Sequence, residues 1–350
     1  MHALCYNLFG DEDENGAKMN SENAWDVVGH QWAVSLLRRS VISGSVSHAY
    51  LFAGLPGVGK MALARALAAA LLCQSEGKDG VPCGTCRACR LVTSANHPDL
   101  HVVASERVGA SLKIDQIREL QRQLALTPVE ANWRVAILRR FEEATTSAAN
   151  ALLKILEEPP PYVVLVLLTG DVDRLLPTTV SRCQQIPLRP LPVAVVRQAL
   201  VERWNVESGQ ADLLAHLSGG RLGWAVRTLG DTRVLQRRTQ RLDDLDHLLS
   251  ASVVERFRYA ERLSRDPIAI RETLDLWGAW WRDVLLVAAE ANAPLTNVDR
   301  QKTLRDHARH FGLRQSAAVV KAVRSAVGRL DRNANARLTL EVLMLDLPRP

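Results

Sequence analysis

The sequence of 350 residues contains no long hydrophobic run. A membrane-spanning helix needs about 18 or more consecutive apolar residues, so we expect no membrane span. The chain begins with an unpatterned stretch that carries an acidic run at residues 11–14, in place of a basic segment followed by an apolar one. We therefore expect no signal peptide and a cytoplasmic location. Internal repeats and low-complexity blocks are not evident either.

What the sequence does contain is typical of a globular protein with two or three domains. Hydrophobic residues make up 47% of the chain, charged residues make up 23%, and the formal net charge is +6. This positive charge is compatible with a nucleic-acid partner but does not identify one. We expect residues 1–23 to form a disordered tail, with Met19 as a candidate for the true initiator.

The segment from residue 49 to residue 67 follows the strand–loop–helix pattern of a phosphate-binding loop. Its candidate nucleotide-binding residues are Gly54, Gly57, Gly59 and Lys60. In such loops the backbone N–H groups and the helix N-terminus bind an anion, and the lysine reaches the outer phosphates. The residue after the lysine should be Ser or Thr, whose hydroxyl binds Mg²⁺, but Met61 offers only a thioether.

Buried strands alternate with helices in the first half of the chain, which predicts a parallel sheet covered on both faces. The predicted strands are residues 49–53, 100–104, 134–138 and 163–168. From residue 193 onwards the pattern is helical only, with predicted helices at 193–204, 210–217, 221–229, 232–249, 252–264, 268–290 and 314–330. The predicted fold class is therefore α/β followed by all-α, with domain boundaries near Leu191 and Asp231.

Four of the six cysteines are clustered within 17 residues, at Cys73, Cys83, Cys86 and Cys89. Two Cys-x-x-Cys steps bring thiolates together, and a tetrahedral Zn²⁺ binds four of them at about 2.3 Å. Four thiolates leave no open coordination position, so this pattern predicts a structural zinc site. The alternative is a set of reduced, inert cysteines.

The strand at residues 134–138 ends in two arginines. A phosphate-loop ATPase needs an Asp at this strand end to hold Mg²⁺ and a Glu beside it to activate water. Arg139 and Arg140 occupy these positions, and cations do not bind a metal ion. Glu142 and Glu143 could substitute only from beyond the strand end, at a different offset.

Arg182, in the sequence Ser181-Arg182-Cys183, is a candidate catalytic residue. An arginine exposed beside the sheet could reach phosphate on a neighbouring subunit and stabilise charge in the transition state. The alternative is a surface arginine in a local salt bridge, which these three residues alone favour.

Two helix faces in the second half of the chain also have alternative interpretations. Trp277, Trp280 and Trp281 form a stripe that favours packing in a core or subunit interface over base stacking. A second face is basic and either contacts DNA phosphates or is simply solvated; its residues are Arg233, Arg237, Arg238 and Arg241.

Taken together, these motifs resemble the AAA+ clamp-loader subunits of bacterial DNA polymerase III. The resemblance is carried by residues 48–52 before the loop, the four-cysteine insertion, residues 149–160 and residues 181–183, and it is specific over residues 25–190. It implies a chain of three domains: an AAA+ phosphate-loop domain at 24–190 with a zinc module at 73–89, a helical lid at 191–230 and a helical collar at 231–350 that mediates oligomerisation.

The family contains gamma/tau subunits, which hydrolyse ATP, and delta-prime subunits, which typically do not. Met61, Arg139 and Arg140 depart from the ATPase pattern, and Gly223 stands where the lid's sensing arginine is expected. The chain therefore resembles the delta-prime type. Its phosphate loop either binds ATP or ADP without hydrolysis or serves only to shape the turn.

The resemblance also implies partners and a role for Arg182. The chain would join gamma/tau and delta subunits in a heteropentamer, help load the sliding clamp on primed DNA, and insert Arg182 as an arginine finger into an adjacent gamma site. The alternatives are an active gamma/tau-type ATPase and a non-replicative zinc-bearing scaffold or DNA-binding module, which co-purification with clamp-loader partners would separate.

We predict that the isolated chain does not hydrolyse ATP, because its sequence lacks the hydroxyl and the acidic pair that position magnesium and water. Phosphate release by the purified chain, compared with its Lys60→Ala variant, measures this directly. Turnover that disappears in the variant would favour the active gamma/tau-type alternative.

Overall fold

The computed structural model describes residues 25–75, 79–231, 233–332 and 334–349. The predicted tail at 1–23 and the candidate initiator Met19 lie outside these residues. The chain forms two compact units, Met1–Pro190 and Leu191–Pro350. The further division of the second unit into a lid and a collar stays a prediction.

The first unit is an α/β domain built on five strands and six α-helices among its described residues. In chain order these are α1 (Gln31–Ile42), β1 (Ala49–Ala53), α2 (Lys60–Leu72), α3 (Arg87–Thr93), β2 (Leu100–Val103), α4 (Ile114–Leu124), β3 (Arg134–Leu138), α5 (Thr146–Glu157), β4 (Val163–Thr169), α6 (Pro177–Val180) and β5 (Gln184–Pro187). Of these elements, α3, α6 and β5 were not predicted from the sequence.

All five strands pair in parallel, in the order β2-β3-β4-β1-β5. Alternate side chains of β1 point to opposite faces, as a strand requires. Tyr50 and Phe52 belong to a core shared with α1 and α2, whereas Leu51 belongs to a second core shared with α4 and α5. The predicted parallel sheet with two covered faces is therefore confirmed.

Because the strands are parallel, the loops that follow strands and the loops that precede strands lie at opposite edges of the sheet. The phosphate loop follows β1, and the 3-10 turn Phe141–Glu143 follows β3, so both lie at the carboxyl edge. The C-terminal end of α5 leads into β4, and Arg182 leads into β5, so both lie at the amino edge. Strands of five residues, such as β1, hold these edges about 16 Å apart.

The second unit is helical throughout its described residues. Its helices are α7 (Val193–Trp204), α8 (Ser208–Leu217), α9 (Leu222–Gly230), α10 (Arg233–Ser250), α11 (Val253–Leu263), α12 (Pro267–Ala288), α13 (Gln301–Asp331) and α14 (Ala336–Asp346). The helix predicted at 314–330 is longer than expected, with a kink at Gly312 (φ 60°, ψ −174°), and α14 was not predicted. The α/β plus all-α class is confirmed.

The tryptophan stripe of α12 lies in the core of the second unit. Trp277 and Trp281 are fully buried, and Trp280 is 2% exposed. Trp277 also stacks on Tyr259 of α11 with ring centroids 5.9 Å apart. The packing interpretation of this stripe is confirmed. In the part of the chain that the structure describes, no helix is both long enough and apolar enough to span a membrane.

A buried arginine joins the ends of two helices in this unit. Arg256 on α11 is 1% exposed, and its guanidinium donates hydrogen bonds of 2.8–3.1 Å to five backbone carbonyls. The acceptors are the carbonyl oxygens of Leu248, Leu249, Met344, Leu347 and Pro348. These carbonyls lie at and just beyond the C-terminal ends of α10 and α14, where positive charge is favourable. Burial lowers the pKa of Arg256.

We predict that Arg256→Leu lowers the free energy of unfolding by about 3–5 kcal/mol, because it leaves buried carbonyls without donors. Urea denaturation followed by circular dichroism measures the change. Arg258→Leu, an exposed arginine on the same helix, is the matched control and should cost less than about 1 kcal/mol. Equal losses in the two variants would contradict the role given to Arg256.

Candidate functional site

The phosphate loop is fixed to the sheet at its first glycine. Gly54 has a φ of 151°, and a Cβ there would collide with the carbonyl oxygen of Leu188. Its N–H donates to the carbonyl of Thr169, at the end of β4, over 3.2 Å. Gly57 and Gly59 have φ values of 85° and 115°, in the left-handed region that favours glycine. At each predicted loop glycine, the backbone therefore adopts a positive φ that favours glycine.

Lys60 is held by the loop that it belongs to. Its ammonium group donates to the carbonyls of Gly54 and Leu55. Burial lowers the pKa of Lys60 to about 8, and the negative charge of Glu142 acts in the opposite direction. His30 supports the loop through a 2.9 Å hydrogen bond between Nε2 and the carbonyl of Val58.

The positions that should hold magnesium carry groups committed elsewhere. Met61 is half-buried and packs against the hydrophobic core. Arg140 has a left-handed backbone (φ 50°), and its guanidinium bonds Glu143 at 2.8 Å and the hydroxyl of Ser105 at 2.7 Å. Arg139 follows the end of β3 and is partly exposed. None of these side chains offers an oxygen ligand to a hard cation.

The two glutamates after β3 have different environments. Glu143 accepts hydrogen bonds from Ser105 and from the N–H of Gly109, so it closes a structural network. The 3-10 turn returns Glu142 to the carboxyl edge, where its Oε1 accepts the N–H of Gly170 over 3.0 Å. Its Oε2 is buried and has no hydrogen-bond partner. The sequence gives the offset of Glu142 from the strand end but carries no signal for this turn.

The four candidate metal ligands come together in space. Their sulfur atoms all lie within 4.8 Å of one another, with Cys73–Cys86 at 4.0 Å and Cys83–Cys89 at 3.9 Å. A tetrahedral ion with sulfur ligands at about 2.3 Å requires sulfurs about 3.8 Å apart, so the cluster could hold a metal ion. Among the described residues, no other group of His, Cys, Asp or Glu meets the same geometric test.

Local structure forms this cluster. Cys73 caps the end of α2, and Cys86 caps the start of α3, where its sulfur accepts the N–H of Cys89 at 3.4 Å. The N–H of Cys86 donates to the sulfur of Cys83 and, with the N–H of Thr85, lowers the pKa of that thiol to about 5. Such N–H···S bonds favour the thiolate form that binds metals.

The cysteine module is tied to the rest of the first unit by polar contacts. Arg87 forms an ion pair with Glu130 at 2.5 Å, and Gln74 donates to the carbonyl of Glu130 over 3.2 Å. On the other side, Trp25 Nε1 donates to the carbonyl of Gly80 over 2.7 Å. These contacts fix the orientation of the module on the sheet domain.

Arg182 lies at the amino edge of the sheet, away from the phosphate loop. Its side chain is 35% exposed, forms a 2.8 Å ion pair with Glu157 and donates to the carbonyl of Thr178 over 2.9 Å. The next residue, Cys183, is buried in the core, and burial raises the pKa of its thiol to about 12. Because the side chain of Cys183 is buried in the core, the side chain of the preceding residue, Arg182, lies at the surface.

A five-stranded parallel sheet with a phosphate loop after β1 defines a phosphate-loop α/β protein, and helices follow this domain in the chain. A family model described as DNA polymerase III, delta subunit, matches residues 29–192. The chain is 32% identical to DNA polymerase III subunit delta' of Bacillus subtilis, over 90% of this chain and 94% of that protein. The chain therefore belongs to the family of DNA polymerase III delta-prime subunits, and the resemblance predicted from its motifs is confirmed.

Two further relatives are subunits of the same enzyme. DNA polymerase III subunit delta' of Pseudomonas aeruginosa is 39% identical over 59% of this chain and 63% of its own length. DNA polymerase III subunit gamma/tau of Mycobacterium tuberculosis is 28% identical over 93% of this chain, which spans only 61% of that relative. The chain is thus similar both to delta-prime subunits and to the gamma/tau subunits of the same enzyme.

We predict that Lys60→Met changes stability in a pH-dependent way. The pKa of Lys60 lies near 8 in the folded chain and at 10.5 as the ordinary value, so the wild type gains stability as pH rises through this interval. Below pH 8 the cost of burying the charged lysine is fully present. The advantage of the variant over the wild type should therefore shrink by up to about 3 kcal/mol between pH 7.5 and pH 10.5.

Urea denaturation at several pH values measures this difference. Lys154→Met, which removes an exposed lysine of the same unit, controls for the loss of one charge. A constant difference between Lys60→Met and the wild type across the interval would contradict the predicted burial effect.

Proposed function

We propose that the chain is a non-hydrolysing clamp-loader subunit that acts on the ATP site of a neighbour. The observation that carries this proposal is the position of Arg182. It lies at the amino edge of the sheet, whereas the chain's own phosphate loop lies at the carboxyl edge, about 16 Å away along the strands. Any triphosphate that Arg182 reaches must therefore belong to another subunit.

The chain's own phosphate loop supports the non-hydrolysing part of the proposal. Phosphoryl transfer needs a metal ion and a group that positions the nucleophile. Met61 packs into the core, and Arg140 is held in a hydrogen-bond network, so neither supplies these functions. Lys60 and the loop glycines retain the means to bind phosphate, and we propose that nucleotide binding, where it occurs, is not followed by hydrolysis.

Arg182 is suited to act as an arginine finger. The ion pair with Glu157 and the hydrogen bond to Thr178 orient its guanidinium at the surface before any partner binds. Because this ion pair is partly solvent-exposed, its loss costs little. A guanidinium delivered to a neighbouring triphosphate stabilises the charge that develops in the transition state.

We propose that the partners are those of the enzyme to which the relatives belong. The neighbours would be gamma/tau and delta subunits in a heteropentamer, and the assembly would place the sliding clamp on primed DNA. We also propose that the cysteine cluster holds one structural zinc ion, since four thiolates complete a tetrahedral shell. Its role would be to fix the module between α2 and β2.

We predict that Arg182→Ala lowers the DNA-stimulated ATPase rate of a reconstituted clamp loader by at least about 100-fold at the site next to this subunit. Chemistry at the remaining sites would persist, so single-turnover hydrolysis measures the effect best. Circular dichroism and zinc content of the variant should match the wild type.

Glu157→Gln is the control for the local salt bridge. It removes the ion pair of Arg182 but keeps the guanidinium, so it should leave the ATPase rate within a few-fold of the wild type. If both variants lose activity to the same extent, Arg182 acts through its ion pair and the finger proposal is wrong. An unchanged rate in Arg182→Ala has the same meaning.

We predict that the purified chain contains about one zinc ion and that Cys83→Ser loses it. Cys183→Ala is the matched control, because it removes a cysteine outside the cluster and should retain the metal. Elemental analysis after metal-replete expression measures the zinc content. A chelator should lower the melting temperature of the zinc-containing wild type but not that of protein without zinc. Absence of any metal from the wild type would rule out the zinc site.

A further inference from the structure

One helix of the second unit carries a large excess of positive charge. Helix α13 carries seven lysine and arginine side chains and two aspartates, so it contributes a net +5, whereas the whole chain carries +6. Its cationic residues are Lys302, Arg305, Arg309, Arg314, Lys321, Arg324 and Arg329. The sequence analysis did not single out this helix.

These seven side chains are not neutralised by the protein itself. Within the described residues, none of them forms an ion pair or a side-chain hydrogen bond. Of the two aspartates on α13, Asp331 is engaged by Arg271 of α12 at 2.9 Å. The charge of the helix is therefore available to a partner.

The basic helix that the sequence analysis did single out behaves differently. On α10, Arg233 pairs with Asp231 at 2.8 Å, and Arg238 and Arg241 pair with acidic residues at 2.7 Å each. The acidic partners of the last two are Asp299 and Glu272. Three of the four arginines on α10 are thus already compensated, which leaves α13 as the stronger candidate for an anionic partner.

The cations of α13 lie on the face opposite to its buried residues. Before the kink at Gly312, Lys302, Arg305 and Arg309 follow helical spacing, and all three are exposed. After the kink, Arg314 and Lys321 are seven residues apart on the outer face. The buried residues on the opposite side are Leu304, Ala308, Phe311, Ser316, Val319, Val323 and Ala326.

Several of the exposed residues between these cations are small. Ala317, Ala318 and Ser325 are exposed among the cations of the second segment. Leu313 is the one large apolar side chain that the described helix α13 exposes. Small side chains let a phosphate backbone approach the cations, whereas a protein partner would need a larger apolar area to bury.

We propose that the outer face of α13 binds the phosphate backbone of duplex DNA. Uncompensated cations repeated along both helical segments of α13 match the regular charge of a duplex, and such contacts depend on charge rather than on base sequence. Binding at this face releases counterions from the DNA, so its affinity falls steeply with salt. This inference concerns the second unit alone, and it does not depend on the arginine finger or on the zinc site.

The test uses the full chain and two triple variants that remove the same charge. Arg314→Gln, Lys321→Gln and Arg324→Gln together neutralise the proposed face. The matched control combines Arg233→Gln, Arg265→Gln and Arg337→Gln, which are exposed arginines of the same unit that form ion pairs with acidic residues. Fluorescence anisotropy with a labelled duplex of about 20 base pairs measures the dissociation constant across a salt series.

We expect the α13 triple variant to bind the duplex about 30-fold or more weakly at about 50 mM salt. The slope of log K against log salt concentration should become shallower by up to about 2.7, since each phosphate contact contributes about 0.9. The control triple should stay within a few-fold of the wild type and keep its slope. This result would support the proposed face.

Three other results would overturn the proposal. Equal losses in both triple variants would mean that net charge alone attracts DNA. No measurable duplex binding by the wild-type chain at low salt would remove the site. If instead the α13 variant binds duplex normally but loses binding to a purified acidic protein, such as a sliding clamp, then the face serves a protein partner.

Discussion

Parallel strand pairing is the constraint on which the chemistry of this protein depends. Because all five strands run in one direction, each connecting segment must cross from the carboxyl edge to the amino edge of the sheet. The phosphate loop and Arg182 are consequently placed at opposite edges of one rigid layer. If Arg182 acts on a triphosphate, as we propose, that triphosphate belongs to a different subunit.

The phosphate loop keeps the residues that shape its turn but lacks the usual magnesium ligands. Gly54 and Lys60 satisfy backbone requirements of the turn, since one passes close to Leu188 and the other donates to loop carbonyls. Met61 adds apolar contact to the core, and Arg140 adds a network with Ser105 and Glu143. These side chains thus contribute to folding at positions that usually carry magnesium ligands.

Much of the fold could be predicted from the sequence because its central strands are short, continuous apolar runs. Strands β1 and β3 agree with the predicted bounds, and β4 extends one residue further. Strand β5 was missed because only Ile186 of its four residues is buried, so it carries no apolar pattern. Helix α14 was missed because Leu338, Val342 and Leu345 are apolar on its exposed side, which hides its amphipathic period.

The sites were predictable only where the partners are close in sequence. The cysteine spacing was sufficient to predict the cluster, since its two Cys-x-x-Cys steps are local. The position of Glu142 depends on a left-handed residue and a 3-10 turn, which no periodicity reveals. The ion pairs of the basic residues were the least predictable feature, because partners such as Arg238 and Asp299 lie 61 residues apart in the chain. The two basic helices could therefore be distinguished only in three dimensions.

The carbonyl cage around Arg256 has a consequence for the order in which this protein is made. Two of the five acceptors come from the end of α10, and three come from residues 344–348. The cage cannot close until the ribosome has released the chain through Pro348, whereas every strand of the sheet is synthesised before residue 190. Biosynthesis therefore lets the sheet domain fold while the helical unit is still being translated, and the helical unit completes its core only after translation has passed α14.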